Sequence, residues 1–156
     1  MNLLAPLAIT VVEERDLDEL LPLLRAYCDF YEVAPSDDHL LGMARALLRE
    51  PQLEGVQFLA RSGGEPVGFA TVLWTWSTLA AARIGVLNDL YVAPQARGSG
   101  AAEALIRAGV DRCREHGASR LSWQTAPDNE RAIAFYDRIG AQRSQWLDYT
   151  LPIDRP

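Results

Sequence analysis

The residues whose types could bind phosphate are concentrated between positions 95 and 100, where the chain reads Gln-Ala-Arg-Gly-Ser-Gly. Gly98 and Gly100 lack side chains that would hold an anion away from the backbone N–H groups, and Arg97 adds a positive charge beside them. The alanine-rich run that follows predicts a helix, whose first N–H groups have no partner inside the helix. The stretch predicts a phosphate-binding turn, although a plain strand-to-helix turn with two glycines would also fit.

The spacing of these residues excludes two common nucleotide-binding motifs. A dinucleotide-binding fingerprint needs a glycine or an alanine where this chain has Glu103. A Walker loop needs a lysine followed by serine or threonine, and no lysine lies near the two glycines. If the loop binds phosphate, we therefore expect a pyrophosphate cradle of another kind.

The loop needs a strand before it and a helix after it, and the sequence predicts both. Residues 84–92 read as a strand, which Pro94 stops because a proline nitrogen has no hydrogen to donate to a strand ladder. The following helix is predicted to turn one apolar side toward the sheet, with Ala102, Leu105, Ile106, Gly109, Val110 and Cys113.

A second candidate group lies on a helix predicted from Asn129 to Ile139 and closed by Gly140. Asn129 is a suitable N-cap residue. Tyr136 follows about two turns later. Its side chain is either a proton donor or an ordinary core aromatic on an amphipathic helix.

Together these stretches resemble the GNAT acetyltransferase superfamily. Gln95-x-x-Gly98-x-Gly100 is similar to its acyl-CoA loop, and the stretch from Asn129 to Ala141 is similar to the helix that follows. The resemblance runs from about Ala8 to Leu151 and is closest to the polyamine, thialysine and amino-acid acetyltransferases. It implies acetyl-CoA as co-substrate, with contacts from Leu90, Tyr91, Val92, Gln95, Arg97, Gly98, Ser99, Gly100, Ala101, Ala102, Asn129 and Tyr136.

The resemblance also implies that Tyr136 approaches the coenzyme sulfur and protonates the departing thiolate. The attacking amine must lose a proton, and no covalent enzyme intermediate is required. Asp89 is the candidate base, with a water relay as the alternative. Asn88 stands where the polyamine and thialysine enzymes have a glutamate that binds the amine, and an amide cannot take a proton. Asn88 and Asp89 are expected to point to opposite faces of the strand.

An aromatic and acidic cluster near the end of the first predicted helix is the candidate site for an ammonium group. Its members are Tyr27, Asp29, Phe30, Tyr31 and Glu32. We expect substrate contacts from Asp29, Tyr31 and Glu32 of this cluster and from Asn88. Tyr27 and Tyr31 also share the apolar stripe of the helix, so both could be core residues, and the two acids could simply be solvated.

The order of predicted elements is β-α-α-β-β-β-α-β-α-β. It indicates a single α/β domain over residues 1–156, with a core from about 7 to 151. We expect a mixed sheet of about six strands, antiparallel in its first part, flanked by about four helices. The last strand is predicted at residues 144–151, and Trp74 and Trp76 are expected in the core.

Composition narrows the class of partner. The chain has 156 residues, 49% of them hydrophobic, and a net charge of −6, which argues against a nucleic-acid partner. The chain shows neither an apolar run of about 20 residues nor a signal peptide, so we expect a cytoplasmic protein and no membrane partner. Cys28 and Cys113 are expected in the core, and no metal site is expected from the two histidines. The resemblance implies a homodimer.

Three functions remain open at this point. The first is an N-acetyltransferase that moves an acetyl group from acetyl-CoA to a primary amine of a small molecule. The second is the same reaction on a protein N-terminus or lysine, and the third is a coenzyme-binding regulatory module without turnover. Tyr136 favours an enzyme, and the lack of a basic docking face favours a small substrate.

Overall fold

The computed structural model describes residues 5–153, which form an α/β fold. The described elements are β1 (Leu7–Val11), α1 (Leu17–Phe30), α2 (Asp37–Arg49), β2 (Gly55–Ser62), β3 (Glu65–Ser77), β4 (Ala82–Val92), α3 (Ala101–His116), β5 (Leu121–Ser122) and α4 (Glu130–Arg138). The chain divides into two compact units, Met1–Trp123 and Gln124–Pro156. The single domain over residues 1–156 stays a prediction. Among the described helices, none is long and apolar enough to cross a bilayer.

The sheet lies in the first unit and has the strand order β1-β2-β3-β4-β5. The first three pairings are antiparallel, and β4 pairs with β5 in parallel after the α3 crossover. This confirms the predicted mixed sheet with an antiparallel first part.

Helices cover the sheet on both faces. On one face, α1 and α2 pack on β2 and β3 around a core of Val12, Leu17, Leu20, Leu23, Leu24, Ala44, Leu59 and Phe69. On the other face, α3 buries Leu105, Ile106 and Cys113. The approach is close at Gly85 of β4, where an added Cβ would lie 2.6 Å from the Cys113 sulfur. At the start of α3, Ala101 is buried and Ala102 only partly so, one position from the expected stripe.

Two aromatic residues expected in buried positions are exposed. Tyr31 is 58% exposed because α1 ends at Phe30, which leaves Tyr31 beyond the helical stripe. Trp74 is buried and its indole N–H donates to the Pro51 carbonyl at 2.9 Å, but Trp76 is 69% exposed. Thr75 is exposed as well, so neither face of the sheet is covered near this end of β3.

The strand predicted at residues 144–151 is wrong. These residues form no strand in the described structure, and Trp146, Leu147, Tyr149 and Leu151 are each at least 80% exposed. Alternating aromatic and aliphatic residues favour a strand only where a partner strand and a core receive them. The strand predicted between the last two helices is reduced to Leu121–Ser122, so the described sheet has five strands instead of about six.

Candidate active site

The glycine loop follows directly from the end of β4. A short 3-10 turn at Pro94–Ala96 leads to Gly98 and Gly100, whose φ angles are +81° and +87°. Glycine adopts this left-handed conformation without strain. A Cβ added at either position would meet no protein atom within 4 Å. The side-chain positions of both glycines are therefore open space that a bound group can enter.

Backbone donors surround that space. Gly100 is the N-cap of α3, and the Ser99 hydroxyl accepts the Ala101 N–H at 3.3 Å. Across residues 5–153, no backbone carbonyl accepts from the N–H of Gly98 or Gly100. Arg97 is exposed beside them. N–H groups at a helix N-terminus with an adjacent arginine suit a phosphate group, so these residues fit the pyrophosphate of a coenzyme.

The outer edge of β4 has little strand pairing within residues 5–123 just before this loop. Its pairing with β5 is confined to Gly85 and Val86. From Leu87 to Val92, no further strand of residues 5–123 pairs with this edge. The expected coenzyme contacts Leu90, Tyr91 and Val92 therefore lie on a stretch whose backbone groups can pair with an extended ligand.

A β-bulge lies at Asn88. Val72 of β3 pairs with Leu87, whereas the neighbouring Thr71 pairs with Asp89, so Asn88 is an extra residue on β4. The expectation that Asn88 and Asp89 point to opposite faces is wrong, because Asn88 Nδ2 donates to Asp89 Oδ2 at 3.1 Å. A bulge breaks the alternation of side chains on which that expectation depended.

Asp89 also lies beside α1. The Tyr27 hydroxyl lies close to the side chains of Asp89 and Tyr31. Burial, followed by the charge of Asp89, raises the pKa of Tyr27 well above its usual value, so the hydroxyl stays protonated and remains a donor. Tyr27 was singled out in the sequence only as a member of the aromatic cluster, and no sequence signal linked it to Asp89.

Aromatic rings form one wall around the half-buried Asp89. The Tyr27 ring lies 5.1 Å from that of Tyr31, 5.7 Å from Phe69 and 6.3 Å from Tyr91, all with edge contacts. The structure thus brings Tyr31 to the Asp89 region. Two other candidate substrate residues, Asp29 and Glu32, are exposed beside this wall near the end of α1.

Two candidate residues belong to the second unit. Asn129 caps α4, and its side chain accepts the Ala132 N–H at 3.2 Å. Tyr136 is half-buried on α4, with its ring 5.3 Å from that of Phe135. Within the same unit, Asp137 and Arg143 form an ion pair.

The two histidines have no metal-binding surroundings in the described residues, where no group of three or more His, Cys, Asp or Glu could hold an ion. His116 stacks on Trp74 with ring centres 4.0 Å apart. Cys113 is buried as expected, whereas Cys28 is only half-buried on α1.

Comparison with known families matches residues 10–141 to the acetyltransferase (GNAT) family. The chain belongs to the GNAT acetyltransferase family. The match covers β4, the glycine loop and α4, and it extends across both compact units. This confirms the family and the N-acetyltransferase class expected from the two motifs.

Individual relatives agree with this assignment. An uncharacterized N-acetyltransferase of Bacillus subtilis, YhfO, is 34% identical over 125 residues, which cover 80% of this chain and 83% of that protein. The thialysine N-epsilon-acetyltransferase of Caenorhabditis elegans is 27% identical over 132 residues, covering 84% of this chain and 80% of that protein.

Solved structures share the fold. A probable acetyltransferase of known structure is 32% identical, with a TM-score of 0.82 over 96% of this chain and 99% of that one. The aminoglycoside N-acetyltransferase AAC(6')-Iy, solved in complex with CoA, is 17% identical, with a TM-score of 0.84 over 97% and 98% of the two chains.

Proposed function

We propose that this GNAT protein transfers an acetyl group from acetyl-CoA to the primary amine of a small molecule by direct attack. The observation that carries the proposal is the arrangement on β4. This one strand carries Asp89 beside the aromatic wall of α1 and ends in the open loop of Gly98 and Gly100. The acidic group can bind an amine and the loop can bind an acyl-coenzyme. Because both lie on one strand, they can bring the two reactants together.

The coenzyme's pyrophosphate binds the N–H groups of the loop, and Arg97 neutralises part of its charge. The amide groups of the pantetheine arm pair with the open edge of β4 between Leu90 and Val92, as an added strand would. Asn129 contacts the arm, as the family resemblance implies. The CoA complex of AAC(6')-Iy, which shares the fold, supports this choice of coenzyme.

The amine binds as an ammonium group at the half-buried Asp89, against Tyr31, with Asp29 and Glu32 adding negative charge at the rim. Asn88 Nδ2 is engaged by Asp89, which leaves the amide oxygen of Asn88 to accept from the amine. The thialysine enzyme among the relatives supports a small amine as substrate.

The reaction then needs three proton transfers. Asp89 takes a proton from the ammonium group, and the neutral nitrogen attacks the thioester carbonyl. The new N–C bond forms as the C–S bond breaks, the amine's remaining excess proton leaves to water, and Tyr136 protonates the departing sulfur. A cytoplasmic homodimer remains our prediction for the working protein.

The test is acetyl-CoA turnover over a panel of diamines, amino acids, thialysine, aminoglycosides and peptides, read as free thiol, with coenzyme binding measured by calorimetry. All 15 residues counted as Lys or Arg are arginines, so acetylation of the protein's own side-chain amines cannot contribute to the signal. A raised rate on one class of small amine is the expected result. Turnover on peptides alone would indicate a protein substrate. Coenzyme binding without any turnover would indicate a regulatory module. An absence of coenzyme binding would overturn the loop assignment.

A further inference from the structure

A buried polar pair lies in the sheet beside Asp89. Gln57 on β2 is 4% exposed, Thr71 on β3 is 0% exposed, and Gln57 Nε2 donates to Thr71 Oγ1 at 3.1 Å. The strand register pairs Gln57 with Thr71 and Thr71 with Asp89. The three side chains therefore form one row across three neighbouring strands.

This row lies on the face of the sheet that α1 covers. Phe69, two residues before Thr71, contacts Tyr27 of α1, and alternate residues of a strand share a face. The next row on this face is hydrophobic, with Leu59, Phe69 and Tyr91. Burying polar side chains costs free energy of desolvation that apolar side chains at the same positions would not. Core packing alone therefore does not explain this pair.

Thr71 is the member of the pair that can reach Asp89. Its oxygen accepts from Gln57, which leaves its hydroxyl hydrogen available for donation. Directly opposed residues of antiparallel strands have Cβ atoms about 4.5–5.5 Å apart, a distance that side chains span directly or through one water. We propose that Thr71, held by Gln57, is a positioning residue that donates to the Asp89 carboxylate and orients it. The inference rests on the proposed role of Asp89.

The groups that approach Asp89 most closely are neutral: Tyr27 and Cys28 on α1, and Asn88 on β4. The acids Asp29 and Glu32 lie exposed near the end of α1. Burial and the charge of Asp89 raise the pKa of both the Tyr27 hydroxyl and the Cys28 thiol, so each stays uncharged near neutral pH. The donors closest to the carboxylate are then neutral, and loss of one of them becomes measurable in the pH dependence of the rate.

The experiment compares three variants through the pH profile of kcat/KM with one fixed amine. Thr71→Val removes the hydroxyl and keeps the shape, and Thr71→Ser keeps the hydroxyl. The double variant Gln57→Met/Thr71→Val removes both partners, so no unsatisfied amide remains to destabilise the core. In Thr71→Val and in the double variant, we expect the acidic limb to move to higher pH and kcat/KM on that limb to fall about tenfold. Thr71→Ser should stay close to the wild type.

Urea unfolding separates this role from a structural one. We expect the double variant to recover the stability that Thr71→Val loses, without recovering the pH profile. A double variant with the wild-type profile would overturn the inference. Asp89→Asn tests the proposed function separately: if the acidic limb persists, the base assignment fails. If the limb disappears in Asp89→Asn but does not move in Thr71→Val, only the role of Thr71 fails.

Discussion

The Tyr27 hydroxyl on α1 lies beside the Asp89 carboxylate on β4. This approach connects the helix that carries the aromatic wall to the strand that ends in the glycine loop. Because Tyr27 keeps its proton, its hydroxyl is placed to donate to the carboxylate. The proposed amine site thus depends on a contact between α1 and β4, which are distant in sequence.

Replacing Tyr27 by phenylalanine removes this donor and keeps the ring packing against Phe69. We expect kcat/KM to fall about tenfold, the loss of one hydrogen bond to a charged group, with coenzyme affinity unchanged. Steady-state kinetics and calorimetry measure the two quantities. In an Asp89→Asn background, Tyr27→Phe should lower kcat/KM only a little further, because the charge to which Tyr27 donates is absent. If each replacement lowered kcat/KM in the double variant as much as it does alone, Tyr27 and Asp89 would not be coupled.

Gly98→Glu places bulk and negative charge in the open loop, so we expect coenzyme binding to be lost. Gly117→Glu is the matched control. Gly117 has a φ of +77° and open space at its Cβ position, but it lies at the other end of α3, about 24 Å away. It carries the same backbone strain without reaching the loop. Equal coenzyme affinity in the two variants, measured by calorimetry, would refute the phosphate-loop assignment.

Tyr136→Phe removes the proposed proton donor for the thiolate. We expect kcat to fall by about 10²-fold or more, with coenzyme affinity nearly intact. Tyr149→Phe is the control within the same unit, since Tyr149 is 90% exposed and its hydroxyl should not affect the rate. An unchanged kcat in Tyr136→Phe would return Tyr136 to the role of a core aromatic.

His116 should make the folded protein less stable in acid. Burial against Trp74, followed by the charges of Arg83 and Arg112, lowers the pKa of His116 below its usual value. As pH falls through the unfolded-state pKa of about 6.5, the unfolded chain binds a proton that the folded chain resists, so stability declines. His116→Phe keeps the stacking and removes the titration. Urea unfolding at pH 7 and pH 5 should show that the free energy of unfolding falls less between these pH values in His116→Phe than in a His39→Gln control.

The loop and the elements around it could be predicted because their signals are local. Pro94 ends a strand, while Gly98 and Gly100 specify a left-handed backbone, and each acts through its own residue. The Asn129 cap is equally local, and the structure places that side chain on the Ala132 N–H. The coenzyme contacts themselves remain predictions.

The surroundings of Asp89 could not be predicted in the same way. The bulge at Asn88 arises from the register between two strands, which a single strand's alternation does not reveal. The approach of Tyr27 to Asp89 depends on how α1 crosses the sheet. The pattern around Trp146 is typical of a strand, but strand formation depends on a partner that no local pattern specifies.

The reactivity of Cys28 offers a way to detect binding at the proposed amine site without any mutation. Of the two cysteines, Cys113 is buried at 3% exposure, and Cys28 is half-buried next to Tyr27. Because burial and then Asp89 raise the pKa of the Cys28 thiol, an alkylating reagent should modify it slowly and mainly at alkaline pH. An ammonium group bound at Asp89 would offset that charge and lower the pKa of the thiol again, so the modification should become faster. A raised rate of Cys28 alkylation would therefore report occupancy by any amine, including inhibitors that are never acetylated.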